Sequence, residues 1–508
     1  MKRASVGLRQ NGLRDQECVG FISPNDIYIS VLGDAIIAAG GIFTGFPADS
    51  KESEMATSCQ AAQASLLLAT PESLDLTLKV AGQIGIPDSR VWIFDPPGIQ
   101  SEMRAIDPSR LRFTQLLEDS DEADFVNVNA SKDPSTQIMS RLFTSGTTGS
   151  PKAAEVSHAA EVKRGEHNFM LYHKEMVKYL HFIGMHHMSG TVNRAKAVIG
   201  MHQMHITRAQ EPQQLVDLVQ KWQIESMMTP PRTAIAITSL IQKGICTKDQ
   251  IKSVRYAAVG GSQVPNEAMD NLKGCLPEEC LAQISYGSTE LGFFSRAPWT
   301  SEQPLDRPGY VGLVCPYQEV KIINPETKED CGFEADGEIC GSSLELFSGY
   351  CNNQKATDES FFVDDAGKRW FRSGDRGRLS ANRHLSVTGR FKEIFKVDTE
   401  EVAPAEVELV LSKHPGVKDV AIAPTADPND SRYYEVKAYV VPNEEKKPVA
   451  QELVDFVATI LSRHKAPTGG VTMVSEIPRN PMKKIITRKL GALDALPGSE
   501  GYMEVLKN

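Results

Sequence analysis

Short apolar runs alternate with helix-like stretches up to about residue 388, and this alternation confines the chain to a narrow set of folds. Cys18 to Ile22 reads as a strand, and Ile27 to Ala39 as a helix that stops at Gly40-Gly41. Ser65 to Ala69 and Val91 to Phe94 read as further buried strands. Strands that alternate with helices imply βαβ units and parallel-rich sheets. From about Phe391 the pattern changes to a small α+β unit. Pro404 suits the first turn of a helix, with Val407, Val410 and Leu411 at helical spacing and Pro415-Gly416 as the stop. Val420 to Ala423 and Val436 to Val441 read as strands. Leu453, Phe456, Val457, Ile460 and Leu461 mark a second amphipathic helix. The expected class is α/β, with a large N-terminal domain over residues 1–389 and a small C-terminal α+β domain over 390–508. A chain of 508 residues is too long for one core, which agrees with that division.

The formal net charge of −10 argues against a chain that coats nucleic acid. An anionic nucleotide can still bind, through a locally arranged site. The nine cysteines are scattered, with no CxxC and no zinc spacing, so reduced thiols in a cytoplasmic protein are expected. Charged residues open the chain, but no apolar segment of a signal peptide follows. The longest apolar stretch, Val31 to Phe46, is interrupted by Gly33, Asp34, Gly40, Gly41, Thr44 and Gly45, so no membrane span is expected.

The strongest chemical signal is Leu142-Phe143-Thr144-Ser145-Gly146-Thr147-Thr148-Gly149-Ser150-Pro151-Lys152. An apolar lead-in meets a run of glycines and small hydroxyls that ends in a lysine. Glycines let backbone approach a polyphosphate closely. Consecutive N–H groups and hydroxyls donate to its oxygens, and lysine offsets its charge. The spacing is not that of a Walker A loop. A surface Ser/Thr/Gly loop is the plainer reading of such a string taken by itself.

The string resembles the phosphate loop of the AMP-binding, adenylate-forming superfamily, which includes acyl-CoA synthetases and 4-coumarate–CoA ligases. Ala153 stands where the family usually has glycine. Other motifs of the family follow in order. Val259-Gly260-Gly261-Ser262 resembles a backbone segment that flanks adenine and acyl group in the family. Ser285-Tyr286-Gly287-Ser288-Thr289-Glu290 contains its YGxTE motif. There the resemblance gives Thr289 to the α-phosphate and Glu290, a hard oxygen ligand, to Mg²⁺. Gly337-Glu338-Ile339 and Gly349-Tyr350 match a mainly structural stretch. Trp370-Phe371-Arg372-Ser373-Gly374-Asp375 resembles a motif whose carboxylate accepts from the ribose hydroxyls, a role that falls to Asp375. Thr388-Gly389-Arg390 and Lys392 match the interdomain hinge, so the small domain is expected to be mobile, with Arg390 near ribose or phosphate. Lys392 is the expected pivot, and Lys396 lies in the same hinge and thiolation segment. In Pro478-Arg479-Asn480-Pro481-Met482-Lys483-Lys484-Ile485 the resemblance makes Lys484 the catalytic lysine. His187 and Met188, with Gly261 and Ser288, take the positions of the family's acyl pocket.

The resemblance implies activation of a small carboxylic acid by ATP and Mg²⁺ to an acyl-adenylate, then transfer to CoA. Two departures bear on this. Relatives carry some 40 to 50 residues before the position of Met1, so the N-terminal domain is expected to lack that part. Thr399 replaces a glycine of the hinge, and Glu400 and Glu401 add negative charge where an anionic cofactor approaches. Adenylation is therefore supported better than CoA transfer. Two alternatives stay open: an enzyme that loads the phosphopantetheine of a carrier protein, and a nucleotide-binding protein with weak or no catalysis.

Overall fold

The computed structural model describes residues 1–96, 109–144, 151–172, 176–262, 264, 266–298, 309–391, 393–397, 400–426, 434–443, 446–479 and 484–495. It divides into two compact units. The first comprises Met1–Gln303, Val311–Val320 and Gly341–Phe371; the second comprises Pro304–Tyr310, Lys321–Cys340 and Arg372–Asn508.

The first unit holds a seven-stranded sheet in the order Gly349–Tyr350, Lys152–Ser157, Ile138–Thr144, Ile42–Phe46, Cys18–Ile22, Ala64–Ala69, Val91–Ile93. The strands from Ile138–Thr144 to Val91–Ile93 are parallel, and Lys152–Ser157 pairs antiparallel both with Ile138–Thr144 and with Gly349–Tyr350. Parallel strands covered on both faces read as unbroken apolar runs, and Cys18–Ile22 is buried at all five positions. Leu66 and Leu68 face one core with Phe21, Phe43, Leu32 and Ile36. Leu67 and Ala69 face a second core with Phe46, Met55 and Val80. The alternation follows from the two-residue period of a strand. Truncating fully buried Leu67 to alanine would cost about 2–5 kcal/mol.

Helix Ile27–Ala38 covers the first of these faces. Asp26 starts it by accepting a hydrogen bond from Tyr28 N (2.9 Å), and Gly40 follows its end at φ +88°. Part of a twelve-stranded sheet runs in the order Gln203–Ile206, Lys178–His181, Ser226–Thr229, Tyr256–Gly260, Leu281–Ser288, Gly292–Pro298, Tyr310–Val314. It is parallel as far as Leu281–Ser288 and then turns antiparallel.

In the second unit, the strand ending at Leu379 pairs antiparallel with His384–Arg390. Beyond them Val417–Ala426, Tyr434–Pro442 and Val471–Met473 form a three-stranded sheet. Helices Pro404–Leu411 and Ala450–Ile460 cover it, with Val407, Leu411, Leu453 and Val457 packed on Ile422, Val436, Ala438 and Val440. The expected α/β class, with a small α+β part at the C-terminal end, is what the structure has. Element bounds agree within a few residues. Among the described residues no helix is long and apolar enough to cross a membrane, and no disulfide forms.

Candidate active site

The two ends of the Ser/Thr/Gly loop are fixed by backbone pairing. Thr144 closes one strand, Lys152 opens the next, and the two residues sit opposite each other in the antiparallel register. The loop is therefore the connection of a hairpin. Ser145, Gly146, Thr147, Thr148 and Gly149 lie outside the described residues. Strand Gly349–Tyr350 adds to the outer side of this hairpin, with Tyr350 opposite Ala154. The Lys152 ammonium sits 4.8 Å from the centre of the Tyr350 ring. Tyr350 Oη in turn donates to Glu290 Oε1 at 2.8 Å. Burial, then the Glu290 charge, pushes the Tyr350 pKa far above the usual tyrosine range, so it remains a donor. One tyrosine thus links the lysine end of the loop to the candidate metal ligand.

The turn carrying Thr289 and Glu290 is held from beneath. Thr289 and Glu290 are both buried. Arg164, 1% exposed, donates from Nη2 to the Thr289 carbonyl (2.8 Å) and from Nε to the Glu345 carbonyl (3.0 Å). Phe347 N donates to the Glu290 carbonyl at 3.0 Å. Glu345 accepts from Phe293 N (3.1 Å) and pairs with His167 Nδ1 (2.7 Å). Burial holds the Arg164 pKa below its ordinary value, while Glu161, Glu345 and Glu290 act the other way. Glu161 stands 3.9 Å from Arg164, an ion pair without a hydrogen bond. Gly287 fits here because a Cβ would stand 2.3 Å from the Gly292 carbonyl oxygen. Tyr286, Gly287 and Ser288 end the strand that Ser285 continues from the sheet interior.

Gly260 ends strand Tyr256–Gly260, opposite Ser285, and the exposed Gly261 and Ser262 follow. Gly261 has φ +95°, a conformation that glycine adopts without strain. Beside these strand ends lies a cavity of about 520 Å³, its open mouth included. Met188 lines it, as do Val192, Met228 and Phe293. His187, Gly261 and Ser288 are not among its lining residues. His187 caps helix Met188–Ile199, its Nδ1 accepting from Ser189 N at 3.2 Å.

In the second unit Asp375 and Arg390 are register partners on adjacent strands, with Arg390 Nε 3.0 Å from Asp375 Oδ1. A carboxylate offers about four acceptor positions, so this contact does not by itself exhaust Asp375. Glu338 holds the preceding turn, accepting from Gly374 N (3.1 Å) and from Arg372. Lys484 is half-buried. It adjoins Ile485, which bridges to Arg479, and Arg479 is tied to Asp419 at 2.8 Å. Lys392 and the Lys396 side chain lie outside the described residues.

Among the described residues no cluster of three or more His, Cys, Asp or Glu could cage a metal. A single buried carboxylate, oriented by Tyr350, suits Mg²⁺ bound chiefly through substrate phosphates. The thiols are poor nucleophiles: burial pushes Cys18 up to about 12 and Cys280 to about 11.

Sequence reasoning passed over Arg164 and Glu345 and took Tyr350 as mainly structural. The pairing partners of buried charges come from distant positions, and no local pattern marks them. Lys196, which lines the cavity, was also missed, although Met188, Val192 and Lys196 recur at four-residue spacing on one helix face.

A hairpin whose Lys152 end is joined through Tyr350 to a buried glutamate, on an α/β unit of two sheets, agrees with a nucleotide-dependent enzyme of the adenylate-forming type. The chain belongs to the AMP-binding enzyme family: that family's model matches residues 1–351, and the model of the AMP-binding enzyme C-terminal domain matches 406–484. It is 30% identical to phenylacetyl-CoA ligase epaB of Aspergillus niger over 96% of this chain and 89% of that one. It is 26% identical to 4-coumarate-CoA ligase 1 of Narcissus pseudonarcissus over 97% and 86%. Its fold matches ATP-bound MatB from Rhodopseudomonas palustris with a TM-score of 0.81 at 20% identity, covering 100% of this chain and 93% of that one.

Proposed function

We propose that this enzyme is an AMP-forming acid–thiol ligase whose chemistry is carried by the loop hairpin, the Thr289-Glu290 turn and Lys484. It joins a carboxylic acid to CoA at the expense of ATP. In the first half-reaction a carboxylate oxygen attacks the α-phosphorus, and the bond to pyrophosphate breaks. In the second, a thiol attacks the acyl carbon and AMP leaves. Neither step needs a protein nucleophile, so positioning and charge supply the rate enhancement.

The observation that carries this reading is the line from Lys152 through Tyr350 to Glu290. It joins a cation at one end of the hairpin connection to a buried carboxylate. The backbone and hydroxyls from Thr144 to Gly149 take the β- and γ-phosphates, with Lys152 offsetting their charge. Glu290 would hold Mg²⁺, which neutralises phosphate charge when bound. Thr289 donates to the α-phosphate. Gly260, Gly261 and Ser262, with Ser285 to Ser288, flank adenine and acyl group, and Asp375 and Arg390 take the ribose. Lys484, carried by a C-terminal domain over 390–508, offsets the charge that gathers at the α-phosphorus. Lys392 is the pivot between half-reactions. Nine cysteines without a disulfide fit a reducing compartment, and we place the enzyme in the cytoplasm.

Thr399, Glu400 and Glu401 favour a second reading for the acceptor, the phosphopantetheine of a carrier protein. An ATP–pyrophosphate exchange assay over aromatic and aliphatic acids tests the first half-reaction. Exchange that depends on an acid is expected. A folded full-length chain that supports none with any acid would overturn the proposal. Adding CoA or a holo carrier protein then identifies the acceptor.

A further inference from the structure

The three-stranded sheet of the second unit is covered differently on its two faces. Helices Pro404–Leu411 and Ala450–Ile460 pack on the side of Ile422, Val436, Ala438 and Val440. The two-residue strand period turns Ala421, Ala423, Tyr439 and Val441 to the other side. Their cover there includes Ile477, Ile485, Leu490 and Leu493. The last three follow Lys484 in the chain, so the stretch that carries the lysine docks on this face. Of residues 484–494, only Leu490 is buried. One buried leucine offsets the ordering of about one or two residues, so apolar docking by itself holds the stretch weakly.

A polar anchor lies further along, at Asp494. Its Oδ1 stands 2.8 Å from Lys437 Nζ and accepts from Thr472 Oγ1 at 3.0 Å, and its Oδ2 accepts from Tyr439 Oη at 3.1 Å. Lys437 and Tyr439 project from one face of the central strand, and Thr472 is the register partner of Tyr439 on the third. All three are buried, whereas Asp494 is partly exposed. A lysine buried in a sheet is costly unless a carboxylate meets it, and here that carboxylate comes from the docked stretch. Burial, then the Asp494 charge, pushes the Tyr439 pKa above the usual tyrosine range, so it remains a donor.

Before Lys484 a second ion pair holds the chain to the same sheet. Arg479 Nη2 donates to both oxygens of Asp419, at 2.8 and 3.2 Å, and Ile486 N donates to the Pro478 carbonyl at 2.9 Å. Lys484 is thus flanked along the chain by an anchor on either side.

We propose that Asp494 is a positioning residue for the first half-reaction, acting through Lys484. By clamping the stretch after the lysine to Lys437, Tyr439 and Thr472, it fixes where the lysine side chain begins. The long lysine stem has many rotamers, so its reach is only as well defined as its backbone. The inference rests on the ligase reading above, in that it takes Lys484 as the group at the α-phosphorus. A misplacement of about 1 Å can cost about 100-fold in rate.

The test uses the full-length enzyme and an acid that supports exchange. Asp494→Ala should lower kcat for pyrophosphate exchange by about tenfold or more, while KM for ATP stays within about threefold. Asp494→Asn keeps one acceptor and should recover part of the loss. Asp494→Ala combined with Lys484→Ala separates positioning from general damage. Its exchange should match that of Lys484→Ala within about twofold, because a residue that acts through the lysine then has nothing to position. If Asp494→Ala fails to fold, Lys437→Met should give the same pattern. Hydrogen exchange gives a readout independent of activity: amides of residues 484–494 should exchange about tenfold or more faster in Asp494→Ala, with those of Val436 to Val440 little changed. Native kcat in a folded variant, a further tenfold loss on top of Lys484→Ala, or unchanged amide exchange would overturn the inference. Any of these, with acid-dependent pyrophosphate exchange by the native chain, would leave the ligase reading intact. Faster amide exchange in the variant, with no pyrophosphate exchange by the native chain for any acid, would sustain the clamp and overturn the ligase reading.

Discussion

Tyr350 serves the proposed site by orienting another side chain. Its hydroxyl donates to Glu290 and its ring lies under Lys152, so both charged groups depend on one phenol. A hydrogen bond that orients a metal-ligating carboxylate is worth about 10–100-fold in metal affinity or activity. Tyr350→Phe keeps the ring and removes the donor. The half-saturating Mg²⁺ concentration for pyrophosphate exchange should rise about tenfold, with little change in thermal midpoint. An unchanged Mg²⁺ dependence would show that Glu290 needs no such bracing. At this scale the residues legible in the sequence were those in runs: Thr144 to Lys152, Ser285 to Glu290, and the Gly374-Asp375 pair. Arg164, Glu345 and Lys196 were not. A charged residue inside a helix looks solvent-facing until the partner surface is known, and only the fold shows that Arg164 and Lys196 are buried.

Among the elements, helix Pro404–Leu411 carries a carboxylate whose protonation is tied to folding. Glu408 keeps part of its surface exposed, yet burial of its carboxylate pushes its pKa up to about 7. Ile422 N donates to it at 2.9 Å, and Arg479 opposes the shift while Glu393 and Asp419 add to it. Its ordinary value is 4.5. The folded state therefore binds the extra proton, and the stability this contributes is present below about pH 4.5 and lost as pH rises through about 7. Glu408→Gln keeps an acceptor for Ile422 N without the charge. The thermal midpoint of the variant should gain on that of the native chain as pH rises from about 5 to about 8. A difference that stays flat across that window would contradict the assigned burial. Elements such as this helix were legible because Pro404, the apolar spacing and Pro415-Gly416 agree with one another. Strand Gly349–Tyr350 was not read as an element at all. Two residues give no period, and their pairing partner is almost two hundred positions away.

For the molecule as a whole, the family motifs divide between the two units. The loop hairpin, Glu290 and the cavity beside Met188 belong to the first, and Asp375, Arg390 and Lys484 to the second. The fold class was legible because strand–helix alternation and the change of pattern near Phe391 reflect backbone periods that packing merely completes. Chain segment 321–340 packs with the second unit although residues 341–371, which belong to the first, separate it from the stretch that begins at Arg372. Antiparallel strands recruit partners across long loops, and apolar periodicity carries no record of which partner. The central claim is that a lysine of the second unit offsets charge at the α-phosphorus of an ATP held largely by the first. Acid-dependent pyrophosphate exchange by Lys484→Ala, set beside its ATP affinity by calorimetry, tests this most directly. Exchange should fall by about 100-fold or more while ATP binding weakens by less than about tenfold. Exchange at the native rate in a folded variant would contradict it.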